Sequence, residues 1–233
     1  MASRLRSDLA AATSRDPAAR SRLETALTYP GLHALWAYRC AHWLWEQRLG
    51  FLARVVSSLA RSLTGVDIHP AASIGERLFI DHATGVVIGE TTNIGDDVTI
   101  YQGVTLGGTS LAHEKRHPTI GNRVTIGAGA KILGPITIGD DSRVGANSVV
   151  VQSVPENSVV VGIPGRIIAR SRTATSATLD GDNDELVPDP VGLSLESLFE
   201  RVHELEEQIG SRGHSREIRP SQSGIWSGDD FSI

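Results

Sequence analysis

Four groups of polar side chains in this sequence are candidates for acid–base chemistry and for binding a charged molecule. Asp81-His82 and Arg116-His117 are adjacent pairs, while Asp16 and Asp67 are carboxylates that stand alone. A histidine can accept a proton near neutral pH, provided that a carboxylate fixes its tautomer and stabilises the imidazolium. Arginine can bind a carboxylate through two parallel hydrogen bonds. The residue types therefore offer a general base, its partner and an anion-binding group.

A repeat of six residues must position these side chains. Aliphatic residues recur at this spacing between Ile68 and Val150, with two extra residues after Ile80 and eight after Leu106. Six is a multiple of the strand period of two and does not fit the 3.6-residue period of a helix, so every aliphatic can face one interior. Glycine follows most of them, and small or β-branched residues stand four positions on. The pattern predicts a β solenoid of four triangular coils and argues against a β-sandwich, which has no reason to keep a fixed period.

The candidate residues stand where the repeat is interrupted. Asp81-His82 lies at the first interruption, and a loop from about Gly108 to Pro118 carries Arg116 and His117. Insertions in solenoids leave the coils as surface loops and often form the binding face. Asp67 precedes His82 by fifteen residues, roughly one coil, so the two can stack in adjacent coils as a dyad. From these residues alone, a purely structural role at the coil corners is equally open.

Composition excludes several classes of function. The net charge is −5, and the densest basic run is the short stretch 114–117, which argues against a nucleic-acid-binding surface. The N-terminus has no apolar run, which indicates neither a signal peptide nor a membrane span and predicts a cytoplasmic protein. The single cysteine, Cys40, is expected to be a buried thiol, and His33 and His42 are expected to pack among aromatic residues.

Helical patterns occupy residues 1–66, which we interpret as an N-terminal helical domain. A short helix is predicted over residues 3–12, and Asp16-Pro17 predicts an N-cap followed by proline at the first helical position. A further helix begins near Leu32 and is predicted to end at Gly50, with another over residues 51–63.

The solenoid domain is predicted over residues 67–169, and composition changes after it. Residues 170–192 are rich in Ser, Thr, Asp, Gly and Pro, which is typical of a linker. Residues 193–210 carry apolar residues at alternating spacings of three and four, which suits either a short coiled coil or an amphipathic helix that docks on its own domain. Residues 211–233 are predicted to form a flexible tail that ends in Ile233.

Several motifs in order along the chain resemble the serine O-acetyltransferases of bacterial cysteine biosynthesis. The resemblance covers roughly residues 4–170, and the motifs that carry it are Asp67-Ile68-His69-Pro70, Asp81 to Thr91, Gly103 to Thr109, Arg116-His117-Pro118 and Ile126 to Gly134. It implies a left-handed parallel β-helix preceded by helices. It also implies transfer of an acetyl group from acetyl-CoA, as co-substrate, to the hydroxyl of L-serine, with no permanently bound cofactor and no metal.

The same resemblance implies roles for individual residues. His82 matches the family's general base and Asp67 its partner, while Asp16 and Asp81 match residues that hold serine. Arg116 and His117 match the groups that meet the serine carboxylate. The CoA arm is expected along small residues that let a ligand approach the backbone, namely Gly108, Ala128 and Ala146.

The resemblance further implies an assembly and partners. The family forms homotrimers, with the site in the cleft between neighbours, and longer members join two trimers through additional N-terminal helices. Because about fifteen residues precede Asp16, a plain trimer is expected at least as strongly as a hexamer. L-cysteine is the expected feedback inhibitor. The acidic tail ending at Ile233 is the expected ligand of O-acetylserine sulfhydrylase, as a short tail with one apolar anchor and a free carboxylate.

Three other functions remain open from sequence. The same solenoid can acetylate a sugar or another alcohol, although Arg116 and Asp16 favour an amino acid. A zinc hydrase could use His82, His113 and His117 as ligands across a trimer interface. A non-catalytic protein could act on the sulfhydrylase through its tail alone.

Overall fold

The computed structural model of the chain describes residues 2–170, with side chains over 3–168. Four helices come first: α1 (Ala2–Arg15), α2 (Arg22–Thr28), α3 (Pro30–Glu46) and α4 (Gly50–Thr64). Apart from Arg170, the predicted linker at 170–192 lies outside the described residues, as do the amphipathic segment at 193–210 and the tail at 211–233. No helix among the described residues is long and apolar enough to cross a bilayer.

Two predicted helix boundaries are wrong. Asp16 follows the end of α1 and does not begin a helix: its Oδ1 accepts the Ala18 N–H at 2.7 Å in a turn, and Ser21 is the N-cap of α2. Gly50 begins α4 and does not end α3, since α3 stops at Glu46. Aspartate and glycine occur at both the beginnings and the ends of helices, so these residue types alone do not tell which end they mark.

A buried ion pair attaches the helices to the solenoid. Arg39 on α3 is bound by Asp8 on α1, with Nε to Oδ2 and Nη2 to Oδ1 both at 3.3 Å. Arg39 also donates to the carbonyls of Ile74 and Gly75 at 2.9 and 2.6 Å. The predicted burial of Cys40 is wrong: its thiol is exposed, and the neighbouring arginine is buried in its place.

Fifteen short strands follow the helices. They are β1 (Asp67–Ile68), β2 (Ser73–Ile74), β3 (Phe79–Ile80), β4 (Val87–Ile88), β5 (Asn93–Ile94), β6 (Thr99–Ile100), β7 (Thr105–Gly107), β8 (Thr119–Ile120), β9 (Thr125–Ile126), β10 (Lys131–Leu133), β11 (Thr137–Ile138), β12 (Arg143–Val144), β13 (Val149–Val150), β14 (Ser158–Val161) and β15 (Arg166–Arg170).

The strands form three sheets, as a triangular coil requires. Sheet A has the order β1-β4-β7-β10-β13, sheet B has β2-β5-β8-β11, and sheet C runs from β3 through β6, β9 and β12 to β14 and β15. All pairs are parallel except β14 with β15, which closes the end of sheet C. The fold is a left-handed parallel β-helix. It continues into a fifth coil beyond Val150, because Val154 bridges to Ile138 and β14 pairs with β12.

The interior confirms the period of six. All thirteen aliphatic positions of the repeat are buried, and so are the small residues four positions further on, including Thr92, Ser142 and Ser148. The two extra residues after Ile80 and the loop after Leu106 leave the strand register intact, since β1 pairs with β4 across the first and β5 with β8 across the second. The interruptions therefore extend only the corners.

Each coil has three corners, which we name by the sheets that they join. The AB corner comprises residues 69–72, 89–92, 108–118 and 134–136; the BC corner 75–78, 95–98, 121–124 and 139–142; and the CA corner 81–86, 101–104, 127–130 and 145–148. At the BC corner Asp96, Asn122 and Asp140 accept backbone N–H groups from the preceding coil at 2.7 to 2.9 Å. These three side chains thus stabilise the turns of this corner.

Candidate active site

His82 lies at the CA corner, where the chain turns from sheet C into sheet A. Its backbone is left-handed, with φ at 55°, and its N–H donates to Oδ1 of Asp81 at 2.9 Å. The ring projects from the corner and is 72% exposed, with Nε2 3.9 Å from Oδ2 of Asp81. This geometry leaves the ring accessible to a ligand and places a carboxylate beside it.

Asp16 reaches the same corner from the turn between α1 and α2. Tyr29 donates its hydroxyl to Oδ2 of Asp16, and this hydrogen bond, with the Ala18 N–H, holds the pKa of the Asp16 carboxyl below its usual range. The same bond raises the pKa of Tyr29 to about 12. Asp16 also lies within electrostatic range of His82, and Tyr29 within range of Asp81. Asp16, Asp81 and His82 are therefore brought together.

Asp67 begins β1, and its Oδ2 lies 3.2 Å from Nη1 of Arg61 on α4. The side chain is therefore paired with Arg61 and not with His82 in this structure, and the Asp67–His82 dyad stays a prediction. In sheet A, Asp67 pairs with Val87, the first residue after the corner and five residues beyond His82. Both members of the Arg61 pair are partly exposed, so the contact is a weak constraint on the carboxylate.

The Arg116-His117 pair lies at the AB corner, at the base of the long loop. Arg116 binds Glu90 through Nη2 and donates from Nη1 to the Ala112 carbonyl at 3.0 Å. Glu90 thus lies against the guanidinium of Arg116. The anion-binding group is therefore oriented by a carboxylate and by the loop itself.

His117 is the buried member of that pair. Its side chain fills the space above Gly89, where a Cβ atom would lie 2.0 Å from Cδ2 of the ring. Burial lowers the pKa of the His117 imidazole, and Arg116 adds to that effect. The hydroxyl of Thr91 contacts the ring at Nδ1, 2.9 Å away. His117 is thus a fixed, neutral imidazole in contrast to the exposed His82.

His69 lies in the coil below, at the same AB corner. Its Nδ1 accepts the Ala71 N–H at 3.1 Å, and its ring meets the Trp45 ring edge-on at a centroid distance of 5.4 Å. Burial lowers the pKa of His69. His33 and His42 bind the carbonyls of Ala26 and Pro70, each at 2.8 Å, which confirms that they are packed residues of the helices.

The candidate residues thus form two half-sites that sheet A separates. The CA half-site contains Asp16, Asp81 and His82, and the AB half-site contains Arg116 and His117 with Glu90. The two corners are at opposite ends of every strand in sheet A. Within one chain, His82 and Arg116 therefore lie at opposite ends of sheet A.

The residues expected to border CoA are divided in the same way. Gly108 is at the AB corner, and Ala128 and Ala146 are at the CA corner in successive coils. There the coils are close: a Cβ on Gly127 would lie 2.6 Å from the Ala146 N, and the Ala128 carbonyl accepts the Asn147 N–H at 2.8 Å. Their short side chains leave the backbone along this corner accessible.

Tyr29 and Thr91 are the site residues that sequence reasoning missed. In the sequence, Tyr29 precedes a proline, which indicates only a helix break and gives no signal of its hydrogen bond to Asp16. Thr91 follows Glu90 in one of the family-like motifs and carried no assigned role. His113 is exposed in the loop. Within the described residues, no three His, Cys, Asp or Glu side chains lie together in a group that could hold a metal ion.

Comparisons with known proteins identify the family. A family model described as bacterial transferase hexapeptide (six repeats) matches residues 117–152. The chain is 56% identical to a serine acetyltransferase of Mycobacterium tuberculosis over 233 residues, all of both chains. Among solved structures it resembles soybean serine acetyltransferase complexed with serine, at 49% identity and a TM-score of 0.70 over 71% of this chain and 68% of that one.

A second solved structure, serine acetyltransferase of Brucella abortus in complex with coenzyme A, is similar at 47% identity and a TM-score of 0.71, covering 73% of this chain and 68% of that one. Identity at this level over the full length, together with the shared fold, excludes the zinc hydrase and sugar acetylation as better descriptions. The chain belongs to the serine acetyltransferase family of acyltransferases.

Proposed function

We propose that this chain acetylates the hydroxyl of L-serine with acetyl-CoA, giving O-acetylserine and CoA, and that His82 is the general base. The observation that carries the proposal is the convergence of Asp16, Asp81 and His82 at one exposed corner. The similar soybean and Brucella abortus enzymes contain serine and coenzyme A in their solved structures.

The two half-sites match the charges of serine. Its ammonium needs carboxylates, which Asp16 and Asp81 supply, and Asp16 remains ionised to low pH because Tyr29 lowers its pKa. Its carboxylate needs cationic or N–H donors, which Arg116 and His117 supply. Glu90 binds only part of the Arg116 guanidinium, so further N–H groups remain for the ligand.

The reaction needs one base and no covalent enzyme intermediate. The serine hydroxyl oxygen attacks the thioester carbonyl carbon of acetyl-CoA while His82 takes the hydroxyl proton. Collapse of the tetrahedral intermediate breaks the carbon–sulfur bond, and the imidazolium returns the proton to the CoA sulfur. Backbone N–H groups along the CA corner are the donors proposed for the oxyanion and the pantetheine arm, beside Ala128 and Ala146.

Asp67 is the proposed partner of the His82 imidazolium. Asp81 lies beside the ring, but its Oδ1 accepts the His82 N–H and, in this proposal, its Oδ2 accepts from the substrate ammonium, so that Asp67 is the carboxylate left for the imidazolium. Asp67 is held only by the exposed Arg61, and breaking a surface ion pair of this kind costs about 0–1 kcal/mol. The dyad therefore forms by a side-chain rearrangement of Asp67 and His82.

Two copies of the chain must share each site. Because the base and the guanidinium are at opposite ends of sheet A, we propose that the CA half-site of one copy faces the AB half-site of its neighbour. A closed ring of three copies pairs every CA corner with an AB corner, which is a heterologous interface that closes. The same arrangement brings Gly108 of one copy toward the CoA arm beside Ala128 of the next. Pairing of two such trimers remains a separate prediction.

Regulation and partners are proposed from the family resemblance. L-cysteine shares the ammonium and carboxylate of serine, so the half-sites that hold serine can also hold cysteine as an inhibitor. The tail ending at Ile233 is the proposed ligand of O-acetylserine sulfhydrylase. Deletion of Ile233 should abolish binding of that enzyme and leave acetyl transfer intact; unchanged binding after the deletion would refute this role of the tail.

Release of CoA thiol from acetyl-CoA with L-serine tests the proposed reaction. His82→Ala should lower kcat by about a hundred- to ten-thousandfold, the usual contribution of a general base, with an unchanged melting temperature. A glycerol or sugar acceptor serves as the control for substrate class. Release that does not depend on serine would contradict the substrate, and full activity of His82→Ala would contradict the base.

A further inference from the structure

Thr91 joins the long loop to the coil beneath it through every polar atom that it has. Its Oγ1 accepts the backbone N–H of Arg116 at 3.0 Å and that of His117 at 3.1 Å. Its carbonyl accepts from Nζ of Lys115. Its own N–H donates to Nδ1 of His117 at 3.2 Å. Thr91 therefore contacts both anion-binding residues, through its hydroxyl and through its backbone.

The hydrogen bonds also determine the protonation of the His117 ring. A threonine hydroxyl has two lone pairs and one proton. Both lone pairs of Thr91 are used by backbone N–H groups, so its proton is directed to Nδ1 of His117 at 2.9 Å. Nδ1 then accepts from both Thr91 groups, and in the neutral ring the proton must be on Nε2. A proton on Nδ1 would oppose the Thr91 N–H.

The opposite edge of the ring, with Nε2, packs against two glycines and fills the space that a side chain there would need. A Cβ on Gly89 would lie 2.1 Å from Nε2, and a Cβ on Gly108 would lie 3.2 Å from it. The titratable and charged groups around the ring are Arg116 and Lys115 on the loop, Glu90 at the same corner and His69 in the coil below. The cationic neighbours disfavour an imidazolium, and so does burial of the ring.

We propose that Thr91 is a positioning residue that fixes His117 as a neutral ring with its proton on Nε2, so that His117 serves the substrate as a hydrogen-bond donor and never as a base. This assignment rests on the proposed function in one respect, namely that the group receiving the hydrogen bond is the serine carboxylate. The ring state itself is independent of the substrate. The proposal gives the two histidines different roles: the buried His117 donates a hydrogen bond, and the exposed His82 of the other half-site is the proposed base.

Nitrogen NMR of the histidine rings in the trimer or other native assembly, combined with serine kinetics, tests the proposal. The wild type should show His117 with a bare Nδ1 and a protonated Nε2 at neutral pH. Thr91→Val replaces the hydroxyl by a methyl group and keeps the backbone N–H on Nδ1: the Nδ1 signal should shift toward that of a free ring nitrogen, and the ring should take up its second proton at higher pH. KM for serine should rise about tenfold or more, because two N–H groups lose their acceptor and Nδ1 loses one of its two donors.

Two variants separate this role from general packing. Thr91→Ser keeps the hydroxyl and should restore both the ring signal and KM. Thr92→Val makes the same change one residue further on, at a buried hydroxyl that has no hydrogen-bond partner within residues 3–168, and should leave both readouts at wild-type values. Equal melting temperatures for the variants would show that the fold is retained.

The outcomes distinguish the ring state from the substrate assignment. A Thr91→Val protein with the wild-type ring signal overturns the proposal, whatever its KM. A Thr91→Ser protein as impaired as Thr91→Val also overturns it, since the hydroxyl would then not be the cause. A changed ring signal with an unchanged serine KM supports the role of Thr91 in fixing the ring and contradicts the proposed contact of His117 with serine.

Discussion

Arg61 Nη1 lies 3.2 Å from Oδ2 of Asp67, so the carboxylate expected to support the catalytic histidine is held by helix α4. The Arg61 side chain is 65% exposed, and that of Asp67 is 36% exposed. Solvent screens such a pair, which makes it easy to exchange for another partner. The exposed pair thus leaves the carboxylate able to change partners, and this makes its role in the proposed dyad measurable.

Asp67→Asn should lower kcat of serine acetylation and leave KM for serine nearly unchanged, because the carboxylate is proposed to stabilise the imidazolium and not the bound substrate. Arg61→Ala is the matched control: it removes the observed partner of Asp67 and should leave kcat close to the wild-type value. Steady-state kinetics of both variants provide the measurement. A loss of kcat in Arg61→Ala as large as that in Asp67→Asn would show that the ion pair itself is needed.

Tyr29→Phe should raise the pKa of Asp16, because the hydroxyl that donates to this carboxylate is the main cause of its lowered pKa. Asp16 would then take up a proton at higher pH than in the wild type. Its attraction for the serine ammonium would weaken only at acid pH, where the wild-type carboxylate is still ionised. Carbon NMR titration of Asp16 and calorimetric serine binding at several pH values measure both effects.

Tyr38→Phe is the control for that experiment. Tyr38 donates to the Ala72 carbonyl at 2.6 Å, away from both half-sites, so its loss should not move the Asp16 titration. An unchanged titration midpoint in Tyr29→Phe would mean that the hydroxyl does not set the charge of Asp16.

Gly89→Ala should weaken serine binding by displacing His117. The new Cβ would lie 2.0 Å from Cδ2 and 2.1 Å from Nε2 of that ring, so the ring must move. We expect a higher KM for serine with little change in melting temperature. Gly107→Ala is the matched change in the next coil, where the Cβ meets the end of the Leu133 side chain at 2.9 Å and the Thr105 methyl group at 3.4 Å. Equal serine KM values for the two variants would contradict the role of the His117 position.

Asp8→Ala should destabilise the fold by about 3–5 kcal/mol, because it leaves the Arg39 charge buried without its carboxylate. The side chains of Arg39 and Asp8 are 6% and 0% exposed. Arg4→Ala on the same helix breaks only an exposed contact with Glu76 and should cost about 1 kcal/mol or less. Denaturant unfolding of both variants gives the comparison; equal losses would mean that burial of the pair is not what matters.

The sequence predicts the solenoid well because its signal is repeated. Every aliphatic position from Ile68 to Val150 indicates the same buried interior, so a few extra residues between repeats do not hide the period of six. The end of the repeat is harder to locate. Val154 and Val160 continue the core into a fifth coil, although Pro155 and Asn157 have the residue types of a loop.

The candidate site is predicted less completely, because hydrogen bonds between distant segments leave no periodic signal. Asp16 lies within electrostatic range of His82, yet the Tyr29 hydroxyl on Asp16 depends on the packing of α2 against α1. The pairing of Asp67 with Arg61 likewise depends on where α4 lies against β1. A spacing of about one coil permits the Asp67–His82 contact, but the side-chain directions decide whether it forms.

Complementation between two inactive variants tests the central claim, a site shared between neighbouring copies, most directly. His82→Ala and Arg116→Ala damage different half-sites, whereas His82→Ala and Asp81→Ala damage the same one. Co-assembled at equal amounts, the first pair should recover about a quarter of wild-type activity, since that share of random interfaces joins two intact half-sites. The second pair should recover none. Failure of the first pair to exceed either parent, in assemblies shown to be mixed, would contradict a shared site.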